Sequence, residues 1–251
     1  MIVAEKMDVY EKFAYDYDEF GAIEEYLGDE KAFFQVLFKK HSVKTVLDCA
    51  CGTGQHLFMF SEMGLDVSGS DYSDSMLEVA NKNLSKHGKT IPLGQCDFRY
   101  LEQKHSGTFD AVVCLTTALP HLHNDEDLVL ALKSMRQRLN KGGVLVLTQG
   151  TTHYTLSMPP IEVVVNREDF SRIFVMEQNG VFQTIHVLDL FHSKDRIENN
   201  QYDIVYRILL DNDYRRLLAE AGFNSIDIYG SYDMSKYDEE SRRMIVVAVN
   251  E

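Results

Sequence analysis

The chain has 251 residues, 45% of them hydrophobic and 25% charged, which is typical of one α/β domain with an elaboration. Its formal net charge of −14 disfavours a nucleic-acid substrate, because binding a polyanion usually needs a basic face. The longest apolar runs are shorter than a membrane span and the N-terminus lacks signal-peptide features, so we expect a cytoplasmic protein without a membrane partner.

Two helices are predicted before the first strand. Residues 8–20 place Tyr10, Phe13 and Tyr17 at helical spacing, which predicts an amphipathic helix packed on the core. Residues 29–41 predict a second helix with an aromatic inner face.

Residues 45–71 predict a strand, a glycine loop, a helix and a second strand, which is the first half of a nucleotide-binding βαβ fold. Gly52 and Gly54 allow positive φ and a close approach of ligand to backbone. Asp48 ends the first strand and suits an amine-bearing or cationic ligand. Asp71 ends the second strand, where its carboxylate can accept both hydroxyls of a ribose.

The glycine loop departs from the dinucleotide-binding fingerprint. Leu57 stands where that fingerprint has its third glycine, which lets helix and strand pack closely around a pyrophosphate. This disfavours NAD or FAD, and with Asp48 it predicts a site for a nucleoside without phosphates.

Strands and helices alternate up to Gly150, which predicts a parallel sheet with helices on both faces. Ser73 or Asp74 is expected to cap the helix after the second strand. A later helix, from Asp125 to Leu139, is expected to end in a glycine cap at 141–143. The third, fourth and fifth strands are predicted over 91–96, 109–115 and 144–148.

The pattern changes after Gly150. Three β-rich segments without helices between them cover 170–178, 181–192 and 202–210, and Asn179-Gly180 is a hairpin signal. We predict an antiparallel sheet within 155–209, inserted after the fifth strand. A helix capped by Asp211 or Asn212 and two final strands, 223–229 and 243–249, complete the chain.

The four cysteines, Cys49, Cys51, Cys96 and Cys114, lie at or near predicted strand ends. A zinc site would need a second ligand pair at matching spacing, and none follows. We expect reduced, buried thiols and no metal.

Three motifs in order carry a resemblance: D-C-A-C-G-T-G from Asp48, S-D-Y-S-D-S-M-L from Ser70 and Q-C-D-F from Gln95. Together they resemble the class I S-adenosylmethionine-dependent methyltransferases. The resemblance implies one domain over 1–251, built on a doubly wound, seven-stranded Rossmann-like sheet of order 3-2-1-4-5-7-6 with the antiparallel insertion as a cap. It also implies S-adenosyl-L-methionine as cofactor.

The same resemblance assigns the cofactor contacts. The first motif holds the methionine part, Asp71 the ribose, Tyr72 the adenine ring and Asp97 the adenine amino group. The complete predicted set is Tyr10, Tyr17, Asp48, Ala50, Gly52, Gly54, Asp71, Tyr72, Met76, Asp97, Phe98 and Leu115.

Residues 10–18, Y-x-x-x-A-x-x-Y-D, are similar to the lid of small-molecule methyltransferases, so 1–41 are expected to be lid helices. The stretch 116–122 resembles a loop, G-N-S-x-x-H-L, of glycine and sarcosine N-methyltransferases. Thr117 replaces the asparagine that binds their substrate, which weakens the case for glycine as acceptor. His121 matches their histidine. Both are candidate catalytic residues, although His121 also fits a structural hydrogen bond.

The leading hypothesis is N-methylation of a small-molecule acceptor. The alternatives are an O-methyltransferase with His121 or His123 as base, a cofactor-binding protein without activity, and an NAD-dependent oxidoreductase. The inserted sheet is expected to form the acceptor wall, with a homodimer interface as the alternative.

Overall fold

The computed structural model describes residues 9–20 and 28–251, so parts of the predicted lid, 1–8 and 21–27, lie outside the described residues. The helices are α1 Val9–Tyr17, α2 Gly28–Lys40, α3 Gln55–Glu62, α4 Asp74–Lys86, α5 Asp125–Gln137, α6 His153–Ser157 and α7 Asp211–Glu220. Short 3-10 turns cover Asp18–Phe20, Phe98–Gln103 and Leu119–His121. Within these ranges, no helix combines the length and apolar character that crossing a bilayer requires.

Seven strands form the central sheet. They are β1 Thr45–Asp48, β2 Asp66–Asp71, β3 Leu93–Gln95, β4 Phe109–Cys114, β5 Leu139–Gln149, β10 Ser225–Tyr229 and β11 Met244–Val249. Their order is β3-β2-β1-β4-β5-β11-β10, in which β1 to β5 are parallel and β11 runs antiparallel to β5 and β10. With the last two strands counted as six and seven, this is 3-2-1-4-5-7-6, and the predicted fold class is confirmed.

Helices cover both faces of this sheet, which is why its central strands are apolar on both faces. Val46 and Leu47 of β1 are fully buried, as are Val112 and Val113 of β4. One face packs against α5 and α7, and the other against α2, α3 and α4. The strand ends are thereby held rigidly in place.

Two predicted helix ends are wrong and one is confirmed. Ser73 caps α4 by accepting a hydrogen bond from the Met76 N–H at 3.1 Å. Residues 141–143, expected as a glycine cap, instead lie within β5, because pairing of Leu139 with Phe109 extends that strand. The cap of α7 is Leu210, so the predicted Asp211 is already the first helical residue.

The insertion is a separate antiparallel sheet of four strands in chain order: β6 Ile161–Asn166, β7 Phe170–Asn179, β8 Phe182–His192 and β9 Ile197–Arg207. The predicted Asn179-Gly180 turn is confirmed, since Asn179 pairs with Phe182 and Gly180 has a φ of 60°. Strand β6 was not predicted, and β9 begins five residues before the predicted 202. Pairing with the long strand β8 extends β9 into its polar start, and β6, which is short, pairs with β7 through a register shift between Val163 and Val165.

Helix α1 lies against the inserted sheet. Phe13 packs on Tyr202 with ring centroids 4.6 Å apart. Arg172 of β7 is fully buried, forms an ion pair with Asp189 at 2.6 Å and donates to the carbonyls of Asp16 and Tyr17 at 2.6 and 3.3 Å. A cation thus satisfies the carbonyls at the end of the helix, where the helix dipole favours positive charge.

Candidate functional site

The carboxyl ends of β1, β2 and β4 meet where the strand order reverses, the usual binding position on such sheets. A small cavity of about 80 Å³ lies there. Nine predicted site residues line it: Tyr10, Tyr17, Ala50, Gly52, Asp71, Tyr72, Met76, Phe98 and His121. Cys49, Thr116 and Ala118 complete the lining and were not predicted as contacts.

Asp48, at the end of β1, is almost completely buried. Its Oδ1 accepts a hydrogen bond from the Ala50 N–H at 3.2 Å, whereas its Oδ2 has no partner in the described part of the chain. Burial raises the pKa of Asp48 to about 6, and nearby His56 opposes that rise. A buried carboxylate oxygen without a partner is costly, and a cationic amino group would satisfy it.

Asp71, at the end of β2, already has backbone partners. Its Oδ2 accepts from the Gly52 N–H at 2.8 Å and its Oδ1 from the Ser73 N–H at 3.0 Å. Burial nevertheless raises its pKa. The carboxylate therefore fixes the glycine loop to β2, and each oxygen retains a further lone pair for a ligand hydroxyl.

The two loop glycines have different surroundings. Gly52 has a φ of 51° and lines the small cavity. Gly54 has a φ of 88° and lies away from the lining; a Cβ added there would stand 3.2 Å from Cβ of Ala80 on α4. Gly54 therefore permits close packing of the loop on α4.

Asp48, Asp97 and Leu115 also lie outside the cavity lining. Asp97 accepts two hydrogen bonds from Nε of Arg99, at 3.1 and 3.0 Å, and Arg99 also pairs with Asp127 at 3.0 Å. Leu115 is buried in the core that faces α2 and α3. Their predicted contacts with the cofactor stay predictions.

A much larger cavity of about 780 Å³ adjoins the same strand ends. Helix α1, the loops after β4 and β5, the inserted sheet and the residues before β11 line it. Three residues, Tyr10, Tyr17 and Thr116, line both cavities, and we call them the junction. The candidate Thr117 lines only the large cavity.

His121 lines the small cavity beside the junction and is partly buried. Its Nε2 is hydrogen-bonded to the Tyr10 hydroxyl at 3.0 Å, and its ring lies 4.7 Å from that of Tyr206. Burial, with a smaller contribution from His123, lowers the pKa of His121 to about 4. The imidazole is therefore neutral at pH 7, and it positions Tyr10.

The loop after β4 has an unusual backbone. Thr116 and Thr117 have φ values of 52° and 66°, in the left-handed region that β-branched residues seldom occupy. Thr148 of β5 holds this conformation: its Oγ1 accepts from the Thr116 N–H at 2.9 Å and its carbonyl from the Thr117 N–H at 2.8 Å. Strain of this kind persists only where the surroundings enforce it, and it is frequent in active sites.

Contacts of α1 and the 3-10 turn that follows it with the glycine loop and α4 were missed by the sequence analysis. Asp18 accepts from the Thr53 hydroxyl at 2.6 Å and from Asn83 Nδ2 at 2.7 Å. Glu11 accepts from the Ser75 hydroxyl at 2.6 Å. The Y-D of the N-terminal motif includes Asp18, but a partner 35 residues away leaves no periodic signal in the sequence.

All four cysteines are buried and free. Cys49 donates a hydrogen bond to the Val113 carbonyl at 3.3 Å, as expected of a core thiol. Across residues 9–20 and 28–251, no cluster of three or more potential metal ligands is present.

Comparisons with known proteins agree with this geometry. Residues 46–143 match the family model described as "Methyltransferase domain". The glycine/sarcosine N-methyltransferase of Halorhodospira halochloris is 32% identical over 225 residues, which cover 88% of this chain and 81% of that protein. The corresponding enzyme of Aphanothece halophytica is 30% identical, with 87% and 81% covered.

Solved structures share the fold. An S-adenosylmethionine-dependent methyltransferase from Clostridium acetobutylicum superposes with a TM-score of 0.81 at 19% identity, covering 96% of this chain and 98% of that one. An amino pentose methyltransferase from Micromonospora echinaspora gives 0.73 at 24% identity, covering 89% and 91%.

The small cavity and the adjoining Asp48 fit a cofactor that carries an amino group, a ribose and an adenine. Asp48 is not in the lining but directly precedes two lining residues, Cys49 and Ala50, and its buried Oδ2 has no hydrogen-bond partner among the described residues. The Asp71 carboxylate has free lone pairs, and Met76 and Phe98 supply apolar surface. The oxidoreductase alternative is excluded by the family of the relatives. The chain therefore belongs to the class I S-adenosylmethionine-dependent methyltransferases, and S-adenosylmethionine is its cofactor.

Proposed function

We propose that this enzyme transfers the methyl group to an amine nitrogen of a small molecule held in the large cavity. Both bacterial relatives described above are named glycine/sarcosine N-methyltransferases, which supports nitrogen as acceptor. The net charge of −14 supports a small molecule rather than a nucleic acid.

The observation that carries the proposal is the junction. Tyr10, Tyr17 and Thr116 line both the small and the large cavity, so a ligand in each would meet at these residues. Transfer between two bound molecules requires this contact, with water excluded.

In this proposal Asp48 receives the amino group of the cofactor and Asp71 its ribose hydroxyls. Tyr72, Met76 and Phe98 surround its adenine. When bound, the cofactor supplies a methyl group activated on a sulfonium. The protein supplies alignment, because the glycine loop, α1 and the Thr116–Thr117 turn are each held by hydrogen bonds.

The acid–base character of the junction favours nitrogen over oxygen. Burial raises the pKa of Tyr10 and Tyr17, so both stay neutral phenols at pH 7. His121, with a pKa of about 4, is a weak base. A neutral amine can attack the methyl group without help, whereas a hydroxyl would need a stronger base than these side chains provide.

Helix α1 serves as a lid in this proposal, and the inserted sheet forms the acceptor wall. Support comes from the residues that α1 and β7 to β9 contribute to the large cavity, including Tyr17, Phe174, Ile185 and Tyr206. A homodimer interface on the outer face of the inserted sheet stays the alternative. Buried free cysteines support the reducing, cytoplasmic setting.

The test uses methyl-labelled cofactor and a panel of small amines, each paired with the alcohol that has the same carbon skeleton. We expect label on at least one amine and much less on its paired alcohol. Label on alcohols alone would overturn the choice of nitrogen, and label on none while the cofactor binds would overturn the catalytic role.

A further inference from the structure

We propose that the large cavity takes an extended acceptor, with a carboxylate or phosphate group about 10 Å from the amine, and that Arg242 and Arg243 bind this anion. The inference rests on the proposed function, because it takes the amine to lie at the junction. It goes further because it assigns a second group of the acceptor, the anion, to the opposite end of the same cavity.

Arg242 and Arg243 immediately precede β11 and both line the large cavity. Each guanidinium is braced by an aromatic ring. The Arg243 guanidinium lies 4.5 Å from the ring centroid of Tyr232, and that of Arg242 lies 5.1 Å from Tyr154, whose hydroxyl also accepts a hydrogen bond from Arg242 Nη2 at 3.2 Å. Stacking restricts these side chains, which lowers the entropy cost of binding an anion.

Neither arginine forms an ion pair in the described part of the chain. Three carboxylates also line the cavity, those of Asp29, Glu30 and Glu162. Glu30 accepts a hydrogen bond from the Tyr232 hydroxyl at 2.6 Å, and although burial opposes the shift, His56, Tyr232 and Arg243 lower its pKa. Because neither guanidinium is held in an ion pair among the described residues, both keep donors that can bind an anionic group of the acceptor.

The strand order of the central sheet gives the separation between this anion site and the junction. Thr116 follows β4, Met244 pairs with Gln149 of β5, and β5 lies between β4 and β11. Two strand spacings put the backbone of Arg242 and Arg243 roughly 10 Å from that of Thr116 along the sheet edge, and we take this as the scale of the separation. An α-amino acid cannot span this, because its amine and carboxylate are separated by two bonds, within about 3 Å.

Apolar side chains fill the space between the two ends. The inner face of the inserted sheet presents a continuous apolar wall made of Phe174, Met176, Ile185, Val187 and Ile204. A volume of about 780 Å³ lies in the range that encloses a drug-sized ligand. The acceptor we infer therefore has an amine, an apolar body and a distal anion.

The experiment compares five acceptors with labelled cofactor. The first is a primary amine joined by a rigid apolar spacer to a carboxylate about 10 Å away, and the second replaces the carboxylate with a phosphate. The third carries a neutral amide in that place, the fourth is the alcohol counterpart of the first, and the fifth is glycine. We expect kcat/KM for an anionic amine to exceed that of the neutral amine and of glycine by at least about tenfold, as for one charged hydrogen bond.

The double variant Arg242→Gln/Arg243→Gln tests the assignment, and Arg215→Gln, an exposed arginine on α7 away from the cavity, is the matched control. We expect the double variant to raise KM for the anionic amine about tenfold or more, to leave the neutral amine within about twofold, and to leave cofactor affinity unchanged. The control should leave KM unchanged for both the anionic and the neutral amine.

Each outcome separates the two proposals. Equal use of glycine, or an equal effect of the double variant on anionic and neutral amines, overturns the extended acceptor while leaving N-methylation intact. Arginine-dependent methylation of the alcohol counterpart supports the anion site and overturns nitrogen as acceptor. A preference for carboxylate over phosphate, or the reverse, identifies the natural anion.

Discussion

At the scale of single residues, two buried titratable groups of the site have opposite pKa shifts. Burial raises the pKa of Asp48 to about 6 and lowers that of His121 to about 4. Both shifts favour the neutral forms, as expected for groups taken out of water. The surroundings of the two groups differ, because in our proposal Asp48 receives the cationic amino group of the cofactor, whereas His121 is hydrogen-bonded to the neutral hydroxyl of Tyr10.

Asp48 should make cofactor binding depend on pH. The carboxylate must be ionised to hold the amino group, so affinity should fall as pH is lowered through about 6, by up to tenfold per pH unit. Titration of S-adenosylhomocysteine between pH 5 and 8 measures this. Asp48→Asn should bind weakly and lose the pH dependence, whereas Asp66→Asn, at the exposed start of β2, should behave like the wild type. A wild-type affinity that is flat across this range would contradict the role of Asp48.

His121 should make the fold sensitive to acid. Because its pKa is about 4 in the folded state and about 6.5 when unfolded, its contribution is fully present above pH 6.5 and is lost as pH falls toward 4. The loss amounts to at most about 3 kcal/mol, from 1.36 kcal/mol per pKa unit. The raised pKa of Asp48 has the opposite effect, since its contribution to folding stability grows as pH falls through 6.

Urea unfolding from pH 7 to 4.5 on His121→Asn and Asp48→Asn separates these contributions. We expect the His121 variant to lose less stability in acid than the wild type, and the Asp48 variant to lose more. Identical acid dependence of all three proteins would show that neither shift governs stability.

At the scale of elements, α1 is the part that connects the two cavities. The residue that follows it, Asp18, is hydrogen-bonded to the glycine loop. The helix itself is bound to the inserted sheet through Arg172 and through the Asp16 carboxylate, which accepts a hydrogen bond from the Tyr202 hydroxyl at 2.6 Å. Its tyrosines at positions 10 and 17 lie at the junction. Ordering of this helix should therefore affect both ligands.

Among the contacts that hold α1, removal of Arg172 should have the largest effect on stability and hydrogen exchange. Arg172→Met leaves Asp189 as an unpaired buried charge, which should lower the free energy of unfolding by roughly 3–5 kcal/mol. The double variant Arg172→Met/Asp189→Leu should recover most of that stability, yet α1 stays without its donor. Hydrogen exchange of residues 9–20 should accelerate in both variants.

Arg216→Met is the matched control, because Arg216 pairs with Asp125 on the surface, where such a bridge contributes about 1 kcal/mol or less. Unchanged exchange of residues 9–20 in the double variant would show that Arg172 does not hold the helix.

Most of the central sheet could be predicted from the sequence, because its signals are local. Continuous apolar strands ending in Asp48 and Asp71, with the loop glycines between them, predict the fold, and nine of the predicted site residues line the small cavity. The errors have physical causes. Strand β5 begins at Leu139 because Phe109 offers a pairing partner, and the contact of Asp18 with Thr53 arises only when distant segments fold together.

At the scale of the whole molecule, the two sheets have different roles. In our proposal the cofactor binds at the ends of β1 and β2 of the parallel sheet, and the inserted sheet lines a cavity of about 780 Å³ at the same edge. The overall charge is strongly negative, and Arg242 and Arg243 line this cavity together with three carboxylates. In our proposal the molecule combines a cofactor site at the strand ends with an acceptor cavity that has charged groups of both signs.

The central claim is that the methyl group is transferred to an amine nitrogen. The most direct measurement combines cofactor carrying a ¹³C-methyl group with a ¹⁵N-labelled form of the amine that the panel identifies, and follows the product by NMR. We predict a ¹³C-methyl signal split by one-bond coupling to ¹⁵N, formed in step with S-adenosylhomocysteine. A new methyl signal without that coupling, or release of S-adenosylhomocysteine with no methylated amine, would contradict the account.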